Sequence, residues 1–219
     1  MERFKKGDTR RMPMFTSCCP GWVRFVKARY RMIKMAHIDP HTLTEKPCDR
    51  PMEEGTGAGV IFGTTGGVME AALRSAYYLM TGSNPGEDAF REVRSRREQK
   101  LWKEAEFQIK DVTVRTAVVN GLGNTAKLIE ALERGEVHYD FVEVMACPGG
   151  CVGGGGQPIK DGMELADERS ETLRDLDRQA SLRFSHENPD IVKLYEEFFE
   201  KPLSHKAHLL LHTKIEKSN

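Results

Sequence analysis

The run Cys147-Pro148-Gly149-Gly150-Cys151-Val152-Gly153-Gly154-Gly155-Gly156 is one that neither a helix nor a strand tolerates. Glycine at this density weakens both regular structures and suits backbone that must turn sharply or approach another segment closely. The residues before it, Tyr139 to Ala146, read as a strand, so a strand delivers Cys147 at its end. Two thiols four positions apart on such backbone suit a metal. Cysteine supplies a soft, negatively charged ligand, and glycine lets backbone N–H groups turn toward the sulfurs. Zinc sites also use close cysteines. The glycines and the delivering strand favour an iron–sulfur cluster over a zinc knuckle, and two inert buried thiols are the bland alternative.

A second cysteine segment, Thr16-Ser17-Cys18-Cys19-Pro20-Gly21-Trp22, lies far upstream. Side chains of adjacent residues diverge, so one cysteine can bind a metal while its neighbour faces a substrate. A thiol so placed can give and accept protons. The simpler account of Cys18 is a buried thiol in a turn before Pro20, and of Trp22 and Phe25 that they are core. Five cysteines, odd in number and clustered, argue against a secreted disulfide framework and for reduced thiols in a cytoplasmic setting. Lys+Arg and Asp+Glu both count 33, so no net field draws the chain to nucleic acid or an anionic membrane. The charged start, Met1-Glu2-Arg3-Phe4-Lys5-Lys6, does not read as a signal peptide, and no stretch approaches about 18 apolar residues.

The 219 residues suit one domain of ordinary size. Trp22 to about Ile38 reads as a helix ended by Asp39-Pro40, and 40–55 as a loop. Gly55 to Gly63 is too rich in glycine for strand or helix to be assigned. Gly66-Gly67 leads into a helix from Val68 to about Met80, stopped at Gly82. Residues 83–104 are charged and read as exposed surface. Val112 to Val119 reads as a strand, Asn124 as the cap of a helix carrying Leu128, Ile129 and Leu132, and Tyr139–Ala146 as the next strand. Strand, helix, strand favours a parallel pair. Beyond Pro158 come a helix over roughly 163–181, one from Asn188-Pro189 burying Ile191, Leu194, Tyr195 and Phe198, and one from Ser204 carrying Ala207, Leu210 and Leu211. The fold class is α/β, a parallel or mixed sheet flanked by helices with a helical C-terminal extension.

Two further groups have double readings. Gly63-Thr64-Thr65-Gly66-Gly67 is either a tight turn or a helix start presenting N–H groups to an anionic cofactor; it lacks the Lys of a nucleotide-binding loop. His205, His208 and His212 fall at helical spacing, either for zinc or, more simply, on an exposed face. Met145, just before the cysteine loop, is by itself a packing residue.

These stretches together carry a resemblance. TSCCPGW and EVMACPGGCVGGGGQP are similar to the first and third signatures of the iron-only (FeFe) hydrogenase catalytic domain. GTGAGVIFGTTGGVMEAALRSAY and AVVNGLGNTAKLIEAL resemble segments preceding the third, and SLRFSHENPDIVKLYEEFFEKPLSHKAHLLLHT the small-subunit region. The resemblance implies residues 1–158 as a large-subunit-like catalytic region and 159–219 as a small-subunit-like helical region. It implies a [4Fe–4S] cubane joined through a cysteine sulfur to a diiron site, together the H-cluster. Cys19 and Cys147 are then cubane ligands and Cys151 the ligand that also bridges to the diiron unit. Cys18 is then the catalytic proton donor, with Met145, Phe62 and Gly63 against the cofactor. The implied reaction is reversible reduction of protons to dihydrogen, with ferredoxin or a similar carrier supplying electrons and maturation proteins supplying the diiron site.

One departure stands against these matches. The family's second signature, Met-Pro-Cys-x-x-Lys-x-x-Glu, is absent, and Arg29-Tyr30 runs straight into Arg31-Met32-Ile33-Lys34, which resembles sequence well beyond it. An internal segment is therefore expected to be deleted near residue 30, together with a cubane cysteine and a cyanide-binding lysine. Pro47-Cys48-Asp49-Arg50 offers Cys48 as a substitute ligand, though it aligns better with a variable loop. The start at Met1 is expected to leave no room for upstream accessory clusters. Little or no hydrogen turnover is expected on these grounds. Two alternatives remain: a non-catalytic iron–sulfur-binding relative, and an inactive truncated gene product.

Overall fold

The structure is a computed structural model that describes the backbone of residues 14–16 and, beyond them, residues 54–94, 100–154, 157 and 159–212. Strand β1 (Met14–Thr16) is followed by a short helix α1 (Gly57–Val60), a 3-10 turn (Ile61–Gly63) and helix α2 (Gly67–Thr81). Then come strands β2 (Trp102–Ile109) and β3 (Val112–Asn120), helix α3 (Leu122–Glu133) and strand β4 (Phe141–Met145). Beyond the cysteine loop lie helices α4 (Ala166–Gln179), α5 (Pro189–Leu194) and α6 (His205–Leu211).

The described strands form one mixed sheet in the order β1-β4-β3-β2. β4 runs parallel to both of its neighbours, while β2 and β3 are an antiparallel hairpin. Helices cover both faces. On one, Met69 and Leu73 of α2 pack with Phe90, Val93, Phe107, Ile109, Val114 and Val118. On the other, Leu128 of α3 packs with Ala117, Val119, Tyr139, Val142 and Val144. Burial on both faces explains why β3 ends in an unbroken apolar run instead of alternating. Leu128 is fully buried, which contributes roughly 1.5–3 kcal/mol.

Four local expectations need correction. Residues 83–104 are not all exposed surface: Phe90 and Val93 are core, and β2 begins at Trp102. The charges of Glu104 and Glu106 mask a period-two pattern whose other face carries Phe107 and Ile109. Helix α3 starts at Leu122, so Asn124 is not its cap; the Asn124 side chain donates to the Asn120 carbonyl at 2.9 Å from within the first turn. After Asn188, Ile191, Leu194 and Tyr195 are only half-buried; Tyr195–Phe199 is a π-helical turn, and its wider repeat buries Phe199 (7% exposed) where Phe198 (45%) was expected. In α6 only Ala207 is buried, and Leu210 and Leu211 are exposed. The caps Asn188 and Ser204 do accept the expected N–H bonds, from Asp190 and Ile191 and from Ala207.

Candidate metal centre

Asn120 and Met145 pair at the carboxyl ends of the parallel strands β3 and β4, and Gly121 N donates to the Met145 carbonyl at 2.7 Å. Loops leaving this edge of an open sheet are where such folds build sites. Cys147 follows β4 by two residues. It opens a turn closed by Gly150 N donating to the Cys147 carbonyl at 3.0 Å, with Pro148 second and Gly149 third at φ +82°. Pro then Gly in those positions is the type II turn, and only the third residue needs a positive φ. Cys151–Gly153 then forms one 3-10 turn, with Gly154 N donating to the Cys151 carbonyl at 3.1 Å. Cys147 is half-buried and Cys151 is exposed. A Cβ on Gly154 would stand 3.6 Å from Cys147 Sγ.

The Gly63–Gly67 segment is the wall of this loop. A Cβ on Gly150 would come within 2.7 Å of the Gly63 carbonyl oxygen and 2.8 Å of Thr65 N, so two backbones touch there. Thr65 N donates to the Gly149 carbonyl at 3.3 Å. The Thr65 hydroxyl donates to Asn120 Oδ1 at 2.6 Å, tying the segment to the end of β3. Of the two readings of this segment, the tight turn is what the geometry displays, because the N–H groups at the start of α2 are already taken. Gly66 N and Met69 N donate to the two carboxylate oxygens of Glu143 at 2.7 and 2.6 Å. A charged residue in mid-strand thus caps a helix that has no capping side chain of its own. Burial pushes the Glu143 carboxyl up to about 7, against the two N–H bonds and the Arg174 charge, which favour the carboxylate.

Below α2 lies a buried ionic cluster. Glu70 pairs with Arg74 (2.7 Å), Arg94 (2.9 Å) and Arg174 (3.1 Å), and Asp177 takes both terminal nitrogens of Arg74 at 2.7 Å and Arg183 at 3.0 Å. Burial works against the charge on Glu70, yet the Arg94 hydrogen bond and the Arg74, Arg94 and Arg174 charges hold it below the ordinary carboxylate range. Asp177 is likewise lowered, against its burial, by Arg74 and Arg183. Arg174 and Asp177 come from α4 and Glu70 and Arg74 from α2, so the cluster fastens the C-terminal helices to the sheet half.

Of the expected site residues, the structure gathers Cys147, Cys151, Met145 and Gly63 around one sheet edge. Met145 is 1% exposed and Gly63 half-buried, while Phe62 is 37% exposed. Cys18, Cys19 and Cys48 lie outside the described residues. The backbone of β1, which ends two residues before Cys18, pairs in parallel with β4, Thr16 opposite Glu143. Glu143 and the ionic cluster were not anticipated from the sequence. A Glu inside an otherwise apolar strand, and Glu70 four residues before Arg74 in a buried helix, were the available signals. His208 and His212 face each other with Nδ1 atoms 2.6 Å apart on an exposed face. Among the described residues, no group of three or more His, Cys, Asp or Glu is arranged to hold a metal ion, and no helix is long and apolar enough to cross a membrane. Two thiols on this loop match the soft donors an iron–sulfur cluster takes, and supply part of its set.

Comparison with known proteins agrees with this geometry. The model for the C-terminal domain of the iron only hydrogenase large subunit matches in two pieces, residues 1–31 and 29–155, and that for the iron hydrogenase small subunit matches 163–217. The NADP-reducing hydrogenase subunit HndD of Solidesulfovibrio fructosivorans is 45% identical over 84% of this chain and 31% of its own. Iron hydrogenase 1 of Clostridium pasteurianum is 42% identical over 85% and 33%. Cytosolic iron-sulfur assembly component 3 of Mus musculus is 35% identical over 69% and 31%. The solved FeFe-hydrogenase HydA1 from Chlamydomonas reinhardtii superposes with a TM-score of 0.53 at 42% identity, over 84% of this chain and 52% of that one. The chain thus spans about a third of the length of these curated relatives and about half of the solved chain.

Proposed function

The chain belongs to the iron-only hydrogenase family, and on that footing we propose that it is an iron–sulfur oxidoreductase lobe whose cysteines hold an H-cluster. The observation that carries this reading is the Cys147–Cys151 loop. Its two thiols follow the carboxyl end of β4, which pairs in parallel with β1. In this reading Cys19, Cys147 and Cys151 would hold the H-cluster, a [4Fe–4S] cubane with its diiron unit. When bound, that group would relay two electrons from a carrier and supply the metal at which 2 H⁺ + 2 e⁻ become H₂, reversibly.

The protein's own part is enclosure, orientation and proton delivery. Met145, buried at the end of β4, and Phe62 would lie against the cofactor, and the backbone of Gly63 forms a wall pressed on the loop. Cys18 holds a proton at Sγ and passes it inward. Ferredoxin or a similar carrier brings electrons, maturation proteins install the diiron unit, and the chain works in the cytoplasm.

The missing second signature bears on rate. The large-subunit match divides into two pieces at residues 29–31, which supports reading a deletion there. A cubane wants a ligand on each iron, so the fourth is absent unless Cys48 supplies it. The reading therefore includes cluster binding with little or no hydrogen turnover. Its test is anaerobic reconstitution with a full diiron supply, followed by iron counting, electron paramagnetic resonance and a hydrogen assay, on the wild type, Cys151→Ser and Cys48→Ser. Iron and a cubane signal that Cys151→Ser removes support the reading; no iron in the wild type overturns it. Robust turnover that Cys48→Ser abolishes makes Cys48 the fourth ligand, whereas robust turnover that survives overturns the weight placed on the missing signature. A second reading, a cluster holder that makes no hydrogen, is favoured by the same gap and by the similarity to the iron-sulfur assembly component. Under it the wild type takes up the iron of the cubane and no diiron unit, Cys151→Ser still removes the cubane signal, and hydrogen evolution stays at background.

A further inference from the structure

Helix α4, from the part similar to the small subunit, presses on the cysteine loop along one face. The methyl of Ala166 lies 3.1 Å from where a Cβ on Gly149 would stand and 3.2 Å from one on Gly153. Leu173, two turns on, lies 2.9 Å from where a Cβ on Gly63 would stand. Between them Arg169 donates from Nη1 to the Val152 carbonyl at 2.8 Å, and Glu164 steadies the same nitrogen at 3.2 Å. Val152 is buried and directly follows Cys151, and its carbonyl belongs to the 3-10 turn that carries the Cys151 thiol. That turn is closed by N–H groups of Gly153 and Gly154. Glycine loses more backbone freedom on ordering than any other residue, so a turn built on it gains most from an outside hold.

We propose that Arg169 is a positioning residue for Cys151. It pins the peptide that follows the cysteine, which fixes where the thiol points. It also sets a permanent positive charge beside an anionic centre, which favours that centre's reduced form and raises its reduction potential. The small-subunit-like helix is then part of the cluster's mounting and not a separate appendage. The inference about potential rests on the cluster reading above; the inference about the loop does not.

The experiment has two arms on the full chain. In the first, amide hydrogen exchange at Gly153 and Gly154 is followed without any metal, for the wild type, Arg169→Ala, Arg169→Gln and Arg169→Lys. A lost hydrogen bond to a charged group predicts exchange about tenfold faster or more in Arg169→Ala, with the β3 and β4 amides unchanged and Arg169→Lys restoring protection. In the second, the reconstituted chain is titrated by electron paramagnetic resonance. Arg169→Gln keeps a donor and loses the charge, so its loop exchange stays slow while its midpoint potential falls below that of the wild type; Arg169→Lys returns the potential toward the wild-type value. Unchanged loop exchange in Arg169→Ala overturns the positioning role. An unchanged potential in Arg169→Gln overturns the charge effect. Global unfolding of Arg169→Ala, seen as faster exchange in β3 and β4, overturns the local role if Arg169→Lys shares it. Failure of the wild type to bind iron counts against the cluster reading alone, because the first arm needs none.

Discussion

Replacing Asp177 by alanine should cost this protein more stability than any substitution of a surface ion pair. Asp177 is 2% exposed and takes both terminal nitrogens of Arg74, itself 3% exposed, in a bidentate pair at 2.7 Å. Truncation leaves the Arg74 guanidinium buried with Glu70 as its described partner. Glu70 is already shared with Arg94 and Arg174, so it cannot neutralise three cations. Breaking a buried pair from one side costs about 3–5 kcal/mol. The second partner, Arg183, is 15% exposed and regains water, so its release adds little. At roughly 2–4 °C per kcal/mol for a chain of this size, the melting temperature of Asp177→Ala falls by about 6–20 °C. Urea unfolding of the metal-free chain, followed by circular dichroism, reads the free energy directly. Asp177→Asn keeps the shape and one acceptor and should cost less. The double variant Arg74→Met/Asp177→Leu, which removes both charges, should recover much of the loss. A cost below about 1 kcal/mol for Asp177→Ala would refute the reasoning, for the pair would then behave as a solvated one.

Three other outcomes follow from the same geometry. Burial holds Glu143 at about 7 against the ordinary 4.5, so the folded chain binds an extra proton between those values and this group's contribution falls as pH rises through that window, by at most about 3.4 kcal/mol. Glu143→Gln should remove that slope in urea titrations at pH 4.5 and 7.5, while Glu70 and Asp177, both lowered, keep theirs and lose stability as pH falls. Gly150→Ala combines a φ of +88° with a Cβ only 2.7 Å from a backbone oxygen, and should lose about 2 kcal/mol or more and lower iron uptake on reconstitution. Cys18→Ala should leave the iron count unchanged where Cys19→Ala lowers it; an equal loss in both marks Cys18 as a ligand and not a proton carrier.

What the sequence disclosed and what it hid divide along a physical line. Patterns set by neighbours in the chain were legible: the strand into Cys147, the Asn188-Pro189 and Ser204 helix starts, the stop at Gly82, the parallel pairing implied by strand, helix, strand. Each rests on local backbone preference or on a period of two or 3.6 residues. The misses were decided by partners distant in sequence. β2 looked like charged surface because Glu104 and Glu106 face outward, and only pairing with β3 shows that Phe107 and Ile109 face in. Phe199 replaces Phe198 in the interior because one π-helical turn shifts the register, which no regular period anticipates. Glu143 caps α2 from 74 positions away, and Arg74 meets Asp177 across 103.

The same division explains why the candidate site was only partly legible. A thiol announces its chemistry by residue type, so Cys147 and Cys151 stand out on any reading. The groups that hold them still do not, because an alanine methyl, a guanidinium and a carbonyl are ordinary until they meet. Ala166, Arg169 and Leu173 read as one face of a charged helix; in the fold they bear on Gly149, Val152, Gly153 and Gly63. The glycines show the other half of that contact. Gly63, Gly149, Gly150 and Gly153 could be mistaken for slack in a loop, yet each is pressed by a neighbour from the turn before α2, from the loop itself or from α4. Glycine in this loop therefore marks close packing and not freedom. A cysteine loop that was slack would tolerate alanine at Gly153, where a Cβ would stand 2.3 Å from the Pro148 carbonyl oxygen; a packed one cannot without moving the peptide beside Cys147.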